Sequence, residues 1–185
     1  STGDLLEWIQ DTSNQESNSI SSDETLTKTL ISCRDTPGFS QKLSLHLKEK
    51  PDFLSDLIQS SEDNFINITN TRLILYLTDV QLAQAIVGIV RQTSPEENPS
   101  DEVVERTVKL FNERLSNGHS IPTLLRNADA KKILDESPIF RRYQSEEYHR
   151  GVHKRAFQNV KEQLETMRND GNNPSSATAT ATKPS

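Results

Sequence analysis

Two histidines one helical turn apart, His149 and His153, come nearest in this 185-residue chain to a catalytic or metal-binding pattern. Imidazole changes its charge near neutral pH and binds divalent metals, and residues four apart share one face of a helix. Glu146 or Glu147 could add an oxygen ligand. The zinc-peptidase motif requires Glu directly after the first histidine, however, and Arg150 stands there. We therefore expect two exposed histidines on a charged helix and no metal site.

Other patterns that carry chemistry are missing from the sequence. The six glycines stand far apart, so there is no glycine-rich phosphate-binding loop. The chain has no Gly-x-Ser-x-Gly elbow for a nucleophilic serine. Its single cysteine, Cys33, can form neither an internal disulfide nor a thiolate zinc site alone, and we expect it to be buried. The sequence predicts a protein that is not an enzyme and uses no cofactor.

The elements that carry these residues are predicted to be helices. Apolar residues recur three and four positions apart, and strictly alternating β-branched runs are missing. Residues 36–59, 64–92 and 100–127 read as three helix-turn-helix units, and a long charged helix follows from Ser145 to about Arg168. We predict an all-α fold of short helices in antiparallel pairs, arranged as a solenoid-like stack. A compact helical bundle is the alternative.

One short stretch suggests a family by residue identity. Residues 120–126, with the sequence SIPTLLR, resemble the opening of the last helix in armadillo-type repeats of the armadillo/HEAT class. The resemblance implies a helical repeat protein whose concave surface binds an extended peptide or another protein.

The predicted organisation has four parts. Residues 1–10 form a short amphipathic helix, and residues 11–22 are a polar linker with one apolar side chain, too few to offset the entropy of ordering. Residues 23–168 are the helical domain. Residues 169–185 lack apolar periodicity and contain Gly, Pro and Asn, which predicts a disordered tail.

The N-terminal helix offers one candidate binding motif. Leu5, Trp8 and Ile9 lie on one face of it and could anchor the chain in the groove of a partner. Alternatively, this helix folds back onto the helical domain, and the same side chains join its core.

A second candidate surface lies near the C-terminal end. Residues 139–168 hold seven basic and four acidic side chains in a chain of net charge −6. Part of this stretch could present a basic and aromatic patch to phosphates or an acidic peptide. Its members are Arg141, Arg142, Tyr143, Tyr148, Arg150, Lys154 and Arg155. Alternatively, the charges solvate one side of a helix whose other side packs. That other side would be an apolar stripe formed by Tyr148, Val152, Phe157, Val160, Leu164 and Met167.

These observations favour a non-catalytic adaptor or scaffold domain of a larger protein or complex that binds another protein. The alternative is a nucleic-acid-associated regulatory domain that uses the basic patch. Neither an 18-residue apolar run nor a signal peptide is present, so we expect no membrane association and a soluble chain in the cytoplasm or nucleus. Ser94 precedes Pro95 in a predicted exposed hinge and is the favoured phosphorylation site.

Overall fold

A computed structural model describes residues 2–13 and 22–172, and the regular structure within them is entirely helical. This confirms the predicted all-α class for the described ranges. In chain order the α-helices are α1 Thr2–Ser13, α2 Asp23–Cys33, α3 Phe39–Glu49, α4 Phe53–Ser60, α5 Glu62–Thr69, α6 Asp79–Thr93, α7 Asp101–Arg114, α8 Ile121–Leu125, α9 Ala128–Leu134, α10 Pro138–Tyr143 and α11 Glu146–Asn172. A 3₁₀ helix, Arg72–Tyr76, lies between α5 and α6. No helix within these ranges has the length and apolar character needed to cross a membrane.

Several helix bounds differ from the predicted ones, at both ends of the chain and at α3, which begins three residues after the predicted start at residue 36. α1 extends three residues beyond the predicted end of the first helix, and α11 extends four residues beyond that of the last. Residues 14–21, which make up most of the predicted linker, lie outside the described residues, and so does the predicted tail beyond residue 172.

Local sequence signals explain where many of the helices start and stop. The Thr78 N–H donates to Oε1 of Gln81 at 3.0 Å, and the Gln81 N–H donates to Oγ1 of Thr78 at 3.1 Å. This reciprocal capping box starts α6 and satisfies two backbone donors that have no partner within the helix. After α7, Asn117 and Gly118 adopt positive φ angles of 56° and 86°, which turns the chain sharply.

The chain divides into two compact units, Ser1–Arg141 and Arg142–Ser185. In the first unit, Phe65 on α5 and Phe111 on α7 are almost completely buried. The apolar face of α6, which includes Leu82 and Ile86, is also buried. Burial of such side chains is the main favourable term in the folding of this unit.

α1 belongs to the core of the first unit. It packs against α2 and α3, and the Trp8 ring lies with its centroid 6.2 Å from that of Phe39 on α3. Leu5 and Ile9 are only 1% and 0% exposed. In the structure, α1 therefore folds back onto the helical domain, which is the second of the two alternatives considered for it.

The second unit contains the end of α10 and the whole of α11. α11 has 27 residues, so it is about 40 Å long. From His153 to Gly171 every residue is exposed. This stretch is a helix without a buried face.

Candidate partner-binding surface on the last helix

The start of α11 is fixed by Ser145. Its hydroxyl accepts a hydrogen bond from the Tyr148 N–H at 3.1 Å and donates one to the Arg142 carbonyl oxygen at 2.7 Å. Glu146 and Glu147 occupy the first turn, where negative charge interacts favourably with the helix dipole. These interactions cap and stabilise the first turn of α11.

Three aromatic rings cluster around this start. The ring centroid of Tyr143 lies 5.8 Å from that of Tyr148 and 5.7 Å from that of His149, and the last two are 5.4 Å apart. Tyr148 is only 4% exposed. Its side chain therefore has a packing role and is not presented to a partner.

Several arginines of the predicted basic patch already have oxygen partners. Arg142 pairs with Glu147 at 3.1 Å, and Arg150 pairs with Glu146 at 3.6 Å, one helical turn away. Arg141 belongs to the first unit, where its Nη1 donates to the carbonyl oxygen of Asp135 at 2.7 Å. The patch is thus divided between the two units, and within the second unit two of its charges are locally compensated.

The exposed part of α11 instead presents a stripe of large apolar side chains. Phe157 is 72% exposed, Val160 53%, Leu164 60% and Met167 68%. Their spacing of three, four and three residues places them within about 80° of the helix circumference. We call these four residues the seam. Of the longer apolar stripe that the sequence predicts, Tyr148 is buried and Val152 half-buried, so only this outer part faces solvent.

The predicted N-terminal anchors lie elsewhere. Because Leu5 and Ile9 are buried in the first unit, a partner could reach them only if α1 left its place. The Sγ of Cys33 on α2 lies 3.9 Å from the carbonyl oxygen of Ile9, and burial raises the pKa of this thiol. Trp8 remains half-buried beside the turn that precedes α3.

The histidines do not form a metal centre in the described part of the chain. There is no group there of three or more His, Cys, Asp or Glu side chains that could hold an ion. His149 lies in the aromatic cluster, and His153 is exposed on α11. His119 on the loop after α7 has its Nδ1 3.7 Å from Oδ1 of Asp79. His46 is buried on α3, with its ring edge-on to Phe53 at 4.4 Å.

The loop after α6 is exposed at residues 95–98, whereas Ser94 itself is less exposed than the sequence predicts. Ser94 is half-buried at the C-terminal end of α6, and its N–H donates to the Val90 carbonyl oxygen at 2.8 Å. It lines a cleft of about 350 Å³ together with Arg91 and Arg141, and Glu136 lies 3.8 Å from Arg91. A phosphate at Ser94 would therefore share a cleft with two guanidinium groups as well as carboxylates. Phosphorylation of Ser94 stays a prediction.

The chain matches no protein-family model, no curated protein and no solved structure. In the segment that resembles armadillo repeats, Ser120 and Thr123 form a capping box, but α8, the helix they open, is only five residues long. The resemblance rests on residues 120–126 alone.

Proposed function

We propose that this protein is a non-catalytic adaptor that binds an amphipathic helix of a partner protein along the seam of α11. The observation that carries the proposal is the 53–72% exposure of the four seam side chains. Contiguous exposed apolar surface on a protein commonly marks an interaction site. A spacing of three, four and three residues is the repeat by which two helices pack side chains into each other's gaps.

The lack of tertiary packing along α11 also supports a helical partner. Isolated helices are only marginally stable in water, and most helices in proteins depend on packing of their apolar face. Residues 153–171 have no such packing, since every one of them is exposed. A second helix on the seam would bury Phe157 and Leu164 and supply the missing tertiary contacts. Docking an apolar helix face in this way is a recurrent mode of protein recognition.

We propose further that the first unit is a solenoid-like stack rather than a compact bundle. In support, several of its principal contacts join helices one or two apart in chain order, such as α1 with α2 and α3 and α4 with α5 and α6, although α2 with α5 and α6 with α9 join helices three apart. In a stack of this kind each repeat contacts only its neighbours, and parts of it can open separately. Native-state hydrogen exchange should then show several groups of amides with different opening free energies. A single group would favour the bundle.

Association with nucleic acid is the second candidate function. Lys154 and Arg155 of the predicted patch are exposed on α11, and Lys161 continues the basic character along it. Against this candidate, Arg142 and Arg150 are paired with carboxylates. The net charge of −6 also lacks the broad positive field of a dedicated nucleic-acid binder.

The seam can be tested with a neutral helical probe. The probe is a synthetic peptide of three heptads with Ile and Leu at the two core positions and Gln at the flanking positions, used below the concentration at which it self-associates. We expect it to slow hydrogen–deuterium exchange of amides in α11 and to leave α6 unchanged. The double variant Phe157→Ala, Leu164→Ala should abolish this protection.

The control is the double variant Gln158→Ala, Glu165→Ala, which removes two side chains of α11 outside the seam and should retain the protection. Absence of protection in the wild-type chain, or equal protection in the seam variant, would contradict the proposed function.

A further inference from the structure

Three basic side chains follow the seam at the period of the heptad. Lys154, Lys161 and Arg168 are seven residues apart and exposed. Residues at this spacing project from nearly the same side of a helix, with a drift of about 20° per heptad. Within the described part of α11, these three cations have no ion pair with a carboxylate. They form a basic row beside an apolar stripe.

The heptad register gives this row a defined role. With Phe157 and Leu164 at position a, and Val160 and Met167 at position d, the three cations occupy position e. In paired helices the e and g positions flank the apolar core and set partner choice and orientation through charge.

The opposite flank of the seam is different. Position g carries Ala156, Gln163 and Asp170, none of which is basic. The acidic residues Glu162 and Glu165 occupy positions f and b, which lie away from the core of a helix pair. The seam therefore has one basic edge and one edge without positive charge.

A second copy of this chain does not complement the basic edge. In a parallel pair, position e faces position g of the other helix, so Lys161 would face Ala156 and Arg168 would face Gln163. In an antiparallel pair the two e positions face each other, and Lys or Arg would meet Lys or Arg. The first arrangement supplies no opposite charge, and the second places like charges together.

We infer that the helix bound on the seam belongs to another protein and carries Glu or Asp along the edge that faces Lys154, Lys161 and Arg168. This inference rests on the proposed function and adds the chemistry of the partner. The apolar seam supplies the attraction, and the acidic edge selects the partner and its register. Three exposed ion pairs should change the dissociation constant about five- to tenfold.

The test uses three probe peptides with identical apolar cores. One has Glu at positions e and g, one Gln and one Lys, and fluorescence anisotropy measures their binding to the whole chain. We expect the Glu probe to bind tightest and the Lys probe weakest, with the difference shrinking as salt is added. The triple variant Lys154→Glu, Lys161→Glu, Arg168→Glu should reverse that order.

A matched triple variant controls for net charge. Lys48, Lys109 and Lys132 are exposed lysines of the first unit, and their change to Glu alters the total charge by the same amount. The control should keep the wild-type order of the three probes. If it reverses the order as well, the effect comes from overall charge, and the inference about the basic edge is wrong.

The remaining outcomes separate the two proposals. Equal binding of the three probes overturns the acidic-partner inference and leaves the seam as a binding site. No binding of the Gln probe overturns the proposed function itself.

Two further results overturn the inference in favour of another occupant. One is a dimer in sedimentation that Phe157→Ala, Leu164→Ala dissociates, which indicates a second copy. The other is protection of α11 by a DNA oligonucleotide that the same variant leaves intact, which indicates nucleic acid.

Discussion

The ring of Phe65 on α5 meets the ring of Phe111 on α7 edge to face, with the centroids 5.7 Å apart and the planes at 83°. One turn further along α7, the guanidinium of Arg114 lies 5.9 Å from the Phe111 centroid and pairs with Glu62 on α5. Aromatic pairs in this geometry contribute beyond the area they bury. Residues more than forty positions apart in sequence thus join the two helices by an apolar contact and a charged one.

Removal of the Phe111 ring should therefore destabilise the first unit strongly. Phe111 is 1% exposed, and Phe111→Ala should lower the free energy of unfolding by about 3–5 kcal/mol, because it leaves a cavity opposite Phe65. Urea unfolding followed by circular dichroism measures the change. Leu110→Ala on the same helix is the control, since Leu110 is 37% exposed and should cost about 1 kcal/mol or less. Equal effects of the two substitutions would contradict the assigned burial.

Substitution of glycine by alanine should have opposite effects on stability at two positions of the chain. Gly88 lies inside α6, and a Cβ placed there would meet nothing within 4 Å. Gly88→Ala should therefore raise the free energy of unfolding by about 0.5–1 kcal/mol, because alanine favours the helix and restricts the unfolded chain. Gly118 has a φ of 86°, where a side chain is strained, so Gly118→Ala should be destabilising. Thermal unfolding of both variants checks the prediction, and a change of the same sign in both would refute it.

Local signals account for the part of the fold that was predictable from sequence. The helical character of the described residues follows from the apolar spacing, and the start of α6 from the Thr78 and Gln81 side chains. The start of α3 was less predictable. Thr36 followed by Pro37 is typical of a helix start, yet α3 begins at Phe39 after Gly38, whose φ is 92°. A Cβ at Gly38 would lie 3.8 Å from the Trp8 ring of α1, a contact that local patterns do not reveal.

The candidate site was predictable only in its residue types. The 3.6-residue period of the last helix indicates an apolar stripe, but the same period serves a buried face and an exposed one. Tyr148 and Phe157 both fit that stripe, and the structure buries the first and exposes the second. Charge counts likewise do not show that Arg142 and Arg150 have carboxylate partners, since that depends on side-chain geometry.

Buried His46 predicts a pH dependence of stability. It is 2% exposed, and neither ring nitrogen has a hydrogen-bond partner among the described residues. Burial, together with the nearby charge of Lys50, lowers the pKa of His46 in the folded chain below its ordinary value of 6.5. As the pH falls below 6.5, the unfolded chain binds the proton more readily than the folded one. Stability should therefore be fully present above that pH and be lost progressively below it.

The measurement is the melting temperature at about pH 7.5 and about pH 5.5, on either side of the ordinary histidine pKa. His46→Leu removes the titrating group and the two unpartnered nitrogens, so it should reduce the difference between the two temperatures. His153→Gln is the control, since His153 is exposed on α11, and it should leave the difference unchanged. A wild-type difference that survives His46→Leu would show that other groups cause it.

The rate at which a thiol reagent labels Cys33 should report how firmly α1 packs over this residue. Cys33 is 2% exposed, burial raises the pKa of its thiol, and Ile9 of α1 lies over it. Thiolate is the reactive form, so a thiol reagent should label the native chain slowly. Ile9→Ala weakens the contact of α1 and should raise the labelling rate about tenfold or more through local opening. Glu7→Ala changes an exposed residue of the same helix and should not raise it. If Ile9→Ala labels at the wild-type rate, α1 does not protect Cys33, and Leu5, Trp8 and Ile9 return as candidate anchors for a partner.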